Sequence, residues 1–151
     1  MNLAQLHKFR EVAAAGNWQA IEYLFNQSVQ LKQMHIRVDL SKEQCPRVYI
    51  DQVMDIHMGG IGTDAVNGAV IALLADLAIG LLGVYHYADG LTATSSLTIN
   101  YVKPLVATQV IVEATETEVI GKRIFGIAKI TNEKGEVCSY ANGSLAKGIS
   151  L

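Results

Sequence analysis

The sequence predicts an α+β domain in which an antiparallel sheet wraps one long apolar helix, and three observations carry that prediction. Residues 65–85, AVNGAVIALLADLAIGLLGVY, are apolar on every side of a helix, with Asn67 and Asp76 as the polar exceptions. Four segments beyond residue 90 are long enough for strands and are separated by turn residues. The chain has 151 residues, room for one domain with a sizeable core, and no internal repeat or linker. A helix that is apolar all round needs cover on all sides, and a small domain provides it most simply with a curled sheet.

In chain order, Leu3, Leu6, Phe9, Val12 and Ala13 recur at helical spacing, and Gly16-Asn17 supplies a break and a fresh cap before Ile21, Leu24, Phe25 and Leu31. Residues 3–33 therefore hold two short helices or one broken helix, and residues 1–33 form an N-terminal extension to a domain over 34–151. Residues 35–40 and 47–53 are rich in Ile, Val and Tyr and read as the first two strands, split by Ser41-Lys42-Glu43-Gln44 and Pro46. The glycine-rich stretch 58–64 is a loop into the apolar helix. It has no Gly-Lys-Ser/Thr and no preceding βαβ context, so a phosphate cradle is not indicated. Residues 91–102 alternate, with Leu97, Ile99 and Tyr101 expected on one face and Thr94, Ser96, Thr98 and Asn100 on the other; Lys103-Pro104 ends that strand. Residues 109–120 and 123–131 flank a Gly121-Lys122 hairpin turn, and Asn132-Glu133-Lys134-Gly135 turns into the last strand, 136–146.

Composition narrows the function. Half the residues are apolar and 17% are charged, a low surface charge that points to surface buried against another subunit. The net charge of −2, with no basic stripe, leaves no footprint for nucleic acid. Cys45 and Cys138 are far apart and lack metal-ligand spacing, so neither a disulfide framework nor a metal site is expected. His7, His35 and His86 read as solvated or packed side chains, whereas His57 stands ten residues before Asn67. No signal-peptide pattern opens the chain, which makes a cytoplasmic protein the expectation. Residues 65–85 could span a bilayer by length. Asp76 would then sit near the membrane centre at a cost of about 2.5–3.5 kcal/mol, and the rest of the chain alternates like a soluble sheet, so no membrane partner is expected.

Asp76 is the residue that needs explaining. A carboxylate buried in an apolar helix must be paired, hydrogen-bonded or protonated. It is either a satisfied structural group or a working one. Nine residues of helix separate it from Asn67, about 13.5 Å of rise, so the two side chains of one chain cannot touch one small group.

The order of elements, VNGAVIALLAD, the strand SLTINYVKP and the Gly121-Lys122-Arg123 hairpin resemble the hotdog-fold acyl-CoA thioesterases, in particular the phenylacetyl-CoA (PaaI-like) branch, over roughly residues 30–147. The resemblance implies a hotdog fold, an antiparallel sheet around the central helix, working as a homodimer or a dimer-of-dimers tetramer with inter-subunit sites. The branch has His-Gly-Gly at the start of that helix, an acidic residue nine positions after the His, and a Ser or Thr on the next strand before Tyr-x-x-Pro. Asn67 stands at the His position, with Gly68 and Ala69 following; Asp76 matches the acidic residue, and Thr94 the hydroxyl residue ahead of Tyr101-Val102-Lys103-Pro104. This chain departs from the pattern at Asn67 and in lacking a loop Asn between residues 59 and 66.

The implied activity is hydrolysis of a small, medium-chain or aromatic acyl-CoA. The Gly68 N–H would stabilise the oxyanion, Asn67 would donate to the carbonyl, Asp76 of the partner would act as general base or nucleophile, and Thr94 would hold the water or the carboxylate. No cofactor is implied beyond the coenzyme A of the substrate. Ala69, His57, Lys122 and Arg123 are candidate substrate-binding residues, the last two for the phosphates, with Lys103 and Lys147 as further cations; Ile56, Met58, Ala69 and Leu73 are candidates for the acyl pocket. The competing expectation is a hotdog protein that binds an acyl-CoA or lipid without hydrolysing it, favoured by Asn67 and opposed by Asp76 and Thr94.

Overall fold

The computed structural model describes residues 3–60, 62–87 and 92–147, with side chains from residue 7 onward. Three helices come first, α1 (Leu3–Ala14), α2 (Trp18–Asn26) and α3 (Val29–Gln33). The Asn17 side chain caps α2 by accepting from the Ala20 N–H, and Ser28 caps α3 by accepting from the Leu31 N–H. The Ser28 cap makes a third helix where the periodicity alone predicts two or one broken.

Strands β1 (Ile36–Asp39) and β2 (Arg47–Ile50) follow, then a 3₁₀ turn at Asp55–His57 and the central helix α4 (Gly68–Leu81), which tightens into a 3₁₀ turn over Leu82–Tyr85. β3 (Thr92–Tyr101), β4 (Val110–Ile120), β5 (Arg123–Asn132) and β6 (Val137–Lys147) complete one six-stranded antiparallel sheet in the order β1-β2-β4-β5-β6-β3. β3 is thus an edge strand although it runs ten residues.

α4 lies across the inner face of the sheet. Leu74, Ala75, Ala78 and Ile79 are completely buried there, in one core with Val48, Ile50, Val112, Ile124, Ile130 and Leu145. Gly126 and Gly143, paired on β5 and β6, make room for it: a Cβ would come within 2.4 Å of Leu82 Cδ1 at the first and 3.1 Å of Ile79 Cδ1 at the second. Phe9, Ala13, Ile21 and Leu31 of the N-terminal helices join the same core. The stretch Gly68–Tyr85 is the one described helical run long and apolar enough to cross a membrane, and 56% of it is buried within the fold.

α4 is not covered on every side. Gly68, Ala72, Leu73, Asp76, Leu77 and Gly80 remain half-buried, at the i, i+4 spacing of a single helix stripe. Asp76 is therefore not the deeply buried carboxylate that the uniform apolarity of its helix implies. It sits on the face that the sheet leaves open.

Candidate active site at the start of the central helix

The chain reaches α4 through a closed loop. Met58 and Val66 form an antiparallel bridge, the Gly59 N–H donates to the Ala65 carbonyl at 3.0 Å, and the Val66 N–H donates to the Leu105 carbonyl at 2.9 Å. Asn67 is the N-cap of α4, its Oδ1 accepting from the Ala69 N–H at 2.8 Å. That bond commits the acceptor end of the amide and leaves Nδ2 to donate outward. The Gly68 N–H, first in the helix, has no intrahelical acceptor and points from the positive end of the helix dipole. The Tyr101 hydroxyl donates to the Gly68 carbonyl at 3.0 Å, with the ring so close that a Cβ at Gly68 would lie 3.3 Å from the hydroxyl oxygen. Around these groups lies a cavity of about 340 Å³, lined among others by Val66, Gly68, Ile71, Tyr101 and Leu105.

Thr94 does not share a face with Ser96, Thr98 and Asn100 as simple alternation predicts. The register of β3 against β6 steps from Thr94↔Leu145 to Ser96↔Ser144, leaving Ser95 as a bulge. Cross-strand partners lie on one face, so Thr94 joins buried Leu145 on the inner side with Leu97, while Ser96 points outward and bonds Ser144. Thr94 consequently faces the side where α4 lies.

Helix and strand run alongside each other in opposite senses. The Thr92 hydroxyl approaches the Gly80 carbonyl at one end and Tyr101 bonds Gly68 at the other. Four helical residues from Gly80 to Asp76 cover about 6 Å, and two strand residues from Thr92 to Thr94 about 7 Å. Counted from that end, Asp76 and Thr94 lie on the same half of the helix–strand pair, and Asn67 and Gly68 are grouped about 12 Å along the helix from Asp76, at the helix start. The candidate residues thus fall into two groups in one protomer.

His57, expected as a candidate substrate-binding residue, is instead engaged by backbone groups. Its ring is completely buried, with Nδ1 accepting from the Met54 N–H at 3.0 Å and Nε2 2.7 Å from the Met34 carbonyl, so neither nitrogen is left for a ligand. Lys122 and Arg123 are exposed on the β4–β5 hairpin. Arg123 pairs with Ala146, and Ala146 with Ala93, which puts that hairpin at the Thr92 end of β3, about 26 Å of strand from Tyr101. Ala69 is exposed on the first turn of α4. Of the residues expected around the acyl group, Ile56 is 51% exposed, and none of Ile56, Met58, Ala69 and Leu73 lines the cavity at the helix start. Its walls come instead from Ala65, Ile71 and the segment after β3. The signal for that segment was Lys103-Pro104, which ends the strand and turns the chain back towards α4. His86, expected to be solvated or packed, is hydrogen-bonded through Nε2 to the Glu116 carboxylate at the far end of the helix.

A curled antiparallel sheet with one central helix, an open edge strand and polar residues at the helix start and mid-helix defines the hotdog class of fold. The chain belongs to the thioesterase superfamily, whose sequence model matches residues 64–139, half of the chain and the whole stretch from the glycine loop to β6. No curated protein matches it in sequence. Solved structures share the fold at low identity. The Escherichia coli PaaI protein, from the phenylacetic acid degradation operon, superposes with a TM-score of 0.73 at 18% identity over 93% of this chain and 96% of that one. A Shewanella oneidensis protein related to the thioesterase superfamily gives 0.78 at 15% identity over 89% and 97%. Zebrafish thioesterase superfamily member 2 gives 0.72 at 12% over 86% and 97%.

Proposed function

We propose that the protein is an acyl-CoA thioesterase of the PaaI-like branch, acting as a two-fold dimer whose sites combine Asn67 and Gly68 of one protomer with Asp76 and Thr94 of its partner. The observation that carries this reading is the half-buried stripe of α4 bearing Asp76, beside the unpaired edge of β3. A ten-residue edge strand with no covering element among the described residues is a template for another strand. A second copy added there antiparallel turns its own α4 end for end, bringing its Asp76 level with this protomer's Gly68. The stripe and the edge are then both covered by one partner. The hairpin cations Lys122 and Arg123, remote from Gly68 in their own protomer, arrive beside it from the other and suit the phosphates of coenzyme A.

The chemistry follows from the groups so assembled. The thioester oxygen sits against the Gly68 N–H and Asn67 Nδ2, two donors aimed at developing negative charge, each worth about 2.7–4 kcal/mol of barrier when well aligned. Asp76 takes a proton from water held by Thr94, the resulting hydroxide attacks the carbonyl carbon, and the tetrahedral intermediate expels coenzyme A as thiolate. A thiol with a pKa of about 8.5 leaves without a general acid, so Asn67, which cannot transfer a proton, is an adequate replacement for an imidazole. The reaction requires no cofactor besides water.

The test is thiol release from short, medium, long and aromatic acyl-CoAs by wild type and Asp76→Ala, with the oligomeric state of both measured. Release by wild type and a loss of about 100-fold or more in the variant is the expected result. Binding of acyl-CoA with no release from any of them would make the protein a carrier of acyl-CoA instead.

A further inference from the structure

Two contacts from the segment ahead of α4 fix where Asn67 sits. Its N–H donates to the His57 carbonyl at 2.8 Å. Gly59 lies so flat against it that a Cβ there would come within 2.5 Å of Asn67 Cα and 2.8 Å of its Cβ, a clash with backbone that no rotamer relieves. His57 is itself immobilised. An imidazole whose Nδ1 accepts from the Met54 N–H carries a proton on Nε2, which donates to the Met34 carbonyl. Met34 is the residue that closes α3. One side chain thereby ties the N-terminal helices to the loop whose backbone supports the start of α4.

We propose that His57 and Gly59 are positioning residues, which hold Asn67 so that its side-chain amide and the Gly68 N–H converge on a single oxygen. The kinetic part of this proposal rests on the thioesterase reading; the structural part, that these two residues set the place of Asn67, does not. A displacement of about 1 Å in such a constellation costs about 100-fold in rate. Gly59→Ala forces a displacement of that order, because the Cα of Asn67 must retreat from 2.5 Å to ordinary contact. His57→Gln is milder. Glutamine places an amide N–H near the position of Nε2 and preserves the bond to Met34, but offers nothing to the Met54 N–H.

The experiment compares full-length wild type, Gly59→Ala and His57→Gln by two readouts. In protein labelled with ¹⁵N at asparagine, the Asn67 backbone N–H is expected to exchange with solvent at least ten-fold faster in both variants, and its side-chain amide resonances to shift. In steady-state hydrolysis, kcat is expected to fall about 100-fold in Gly59→Ala and less in His57→Gln, with KM within about three-fold of wild type and the oligomer intact. A fall in stability alone would leave kcat per folded site unchanged, and that outcome overturns the proposal. If Gly59→Ala fails to fold, His57→Gln decides: unchanged Asn67 exchange with unchanged kcat refutes positioning. A wild type that releases no thiol refutes the hydrolase reading rather than the positioning, which then stands or falls on Asn67 exchange in the variants.

Discussion

Asn67 has two duties that substitution can separate. Its Oδ1 caps α4 through the Ala69 N–H, and its Nδ2 is the proposed donor to the thioester oxygen. Asn67→Ala removes both, Asn67→Ser keeps a capping oxygen without the amide donor, and Asn67→Asp keeps the cap while placing a carboxylate where the oxyanion forms. Losing a cap costs about 1 kcal/mol, within a range of about 0.5–2. For a domain of this length that lowers the melting temperature by about 2–4 °C. Losing one aimed donor costs about 10²–10³ in kcat.

The expected pattern follows. Asn67→Ala loses about 2–4 °C and about 100-fold or more in kcat. Asn67→Ser melts within about 1 °C of wild type yet loses as much activity as alanine. Asn67→Asp melts at or above wild type, since a carboxylate at a helix N-terminus gains about 0.3–1 kcal/mol, and has the lowest kcat of the three. Thermal unfolding and thiol release from the best acyl-CoA measure the two quantities on the same samples. A serine variant with wild-type kcat would refute the donor role of Nδ2, and one as unstable as alanine would refute the capping geometry.

Three further outcomes test other parts of the structure. Ala72→Lys puts a cation on the half-buried stripe of α4 without removing a large side chain, and should convert the proposed dimer to monomers by light scattering and abolish turnover; an active dimer would refute the proposed two-fold interface. Arg37 bonds both oxygens of Asp51, at 2.8 and 2.9 Å, and holds that carboxyl below its usual range. A depressed carboxyl stabilises above the unfolded pKa of about 4 and loses its contribution as pH falls through the folded value. Because both side chains are about half exposed, Asp51→Asn should cost less than about 1 kcal/mol in urea unfolding at pH 7 and progressively less as pH falls below about 4, and a gap that does not narrow in acid would refute the linkage. The Tyr85 hydroxyl is buried without a partner among the described residues, and burial pushes its pKa up to about 12. Tyr85→Phe should therefore leave stability unchanged or raise it by about 1 kcal/mol while keeping the edge contact with Trp18, and a loss of that size would reveal an unrecognised partner.

Most of the fold was legible because each strand and turn was signalled locally. Alternation and the Gly121-Lys122 and Asn132–Gly135 turns place β4, β5 and β6 within about two residues of where they lie. What was not legible involves competition between equivalent local signals. In Ala-Thr-Ser-Ser-Leu-Thr no apolar residue marks the slip at Ser95, so alternation assigned Thr94 to the outer face. Ser28 is one serine among several polar residues in that region, and only the folded chain shows it starting a five-residue helix. His57 offers the same imidazole to a ligand or to two backbone groups, and the partners that decide, Met34 and Met54, are fixed by tertiary contact.

The apolar stripe of α4 has a deeper ambiguity. Periodicity records that a side chain avoids water and is silent on whether its own chain or another copy supplies the cover. Ala72, Leu73 and Leu77 carry the same apolar signal as Leu74 and Ile79, yet only the latter pair is sealed by the sheet. Asp76 breaks that equivalence. A carboxylate is tolerated on the stripe because the isolated protomer leaves it partly hydrated, and a partner that covers it must bring hydrogen-bond donors with it. Under the proposed two-fold arrangement, the groups delivered opposite Asp76 are the outward amide of Asn67, the Gly68 N–H and the positive end of the partner's helix dipole. The arrangement that would make a thioester cleft is thus also the one that lets the apolar stripe be buried without stranding its charge.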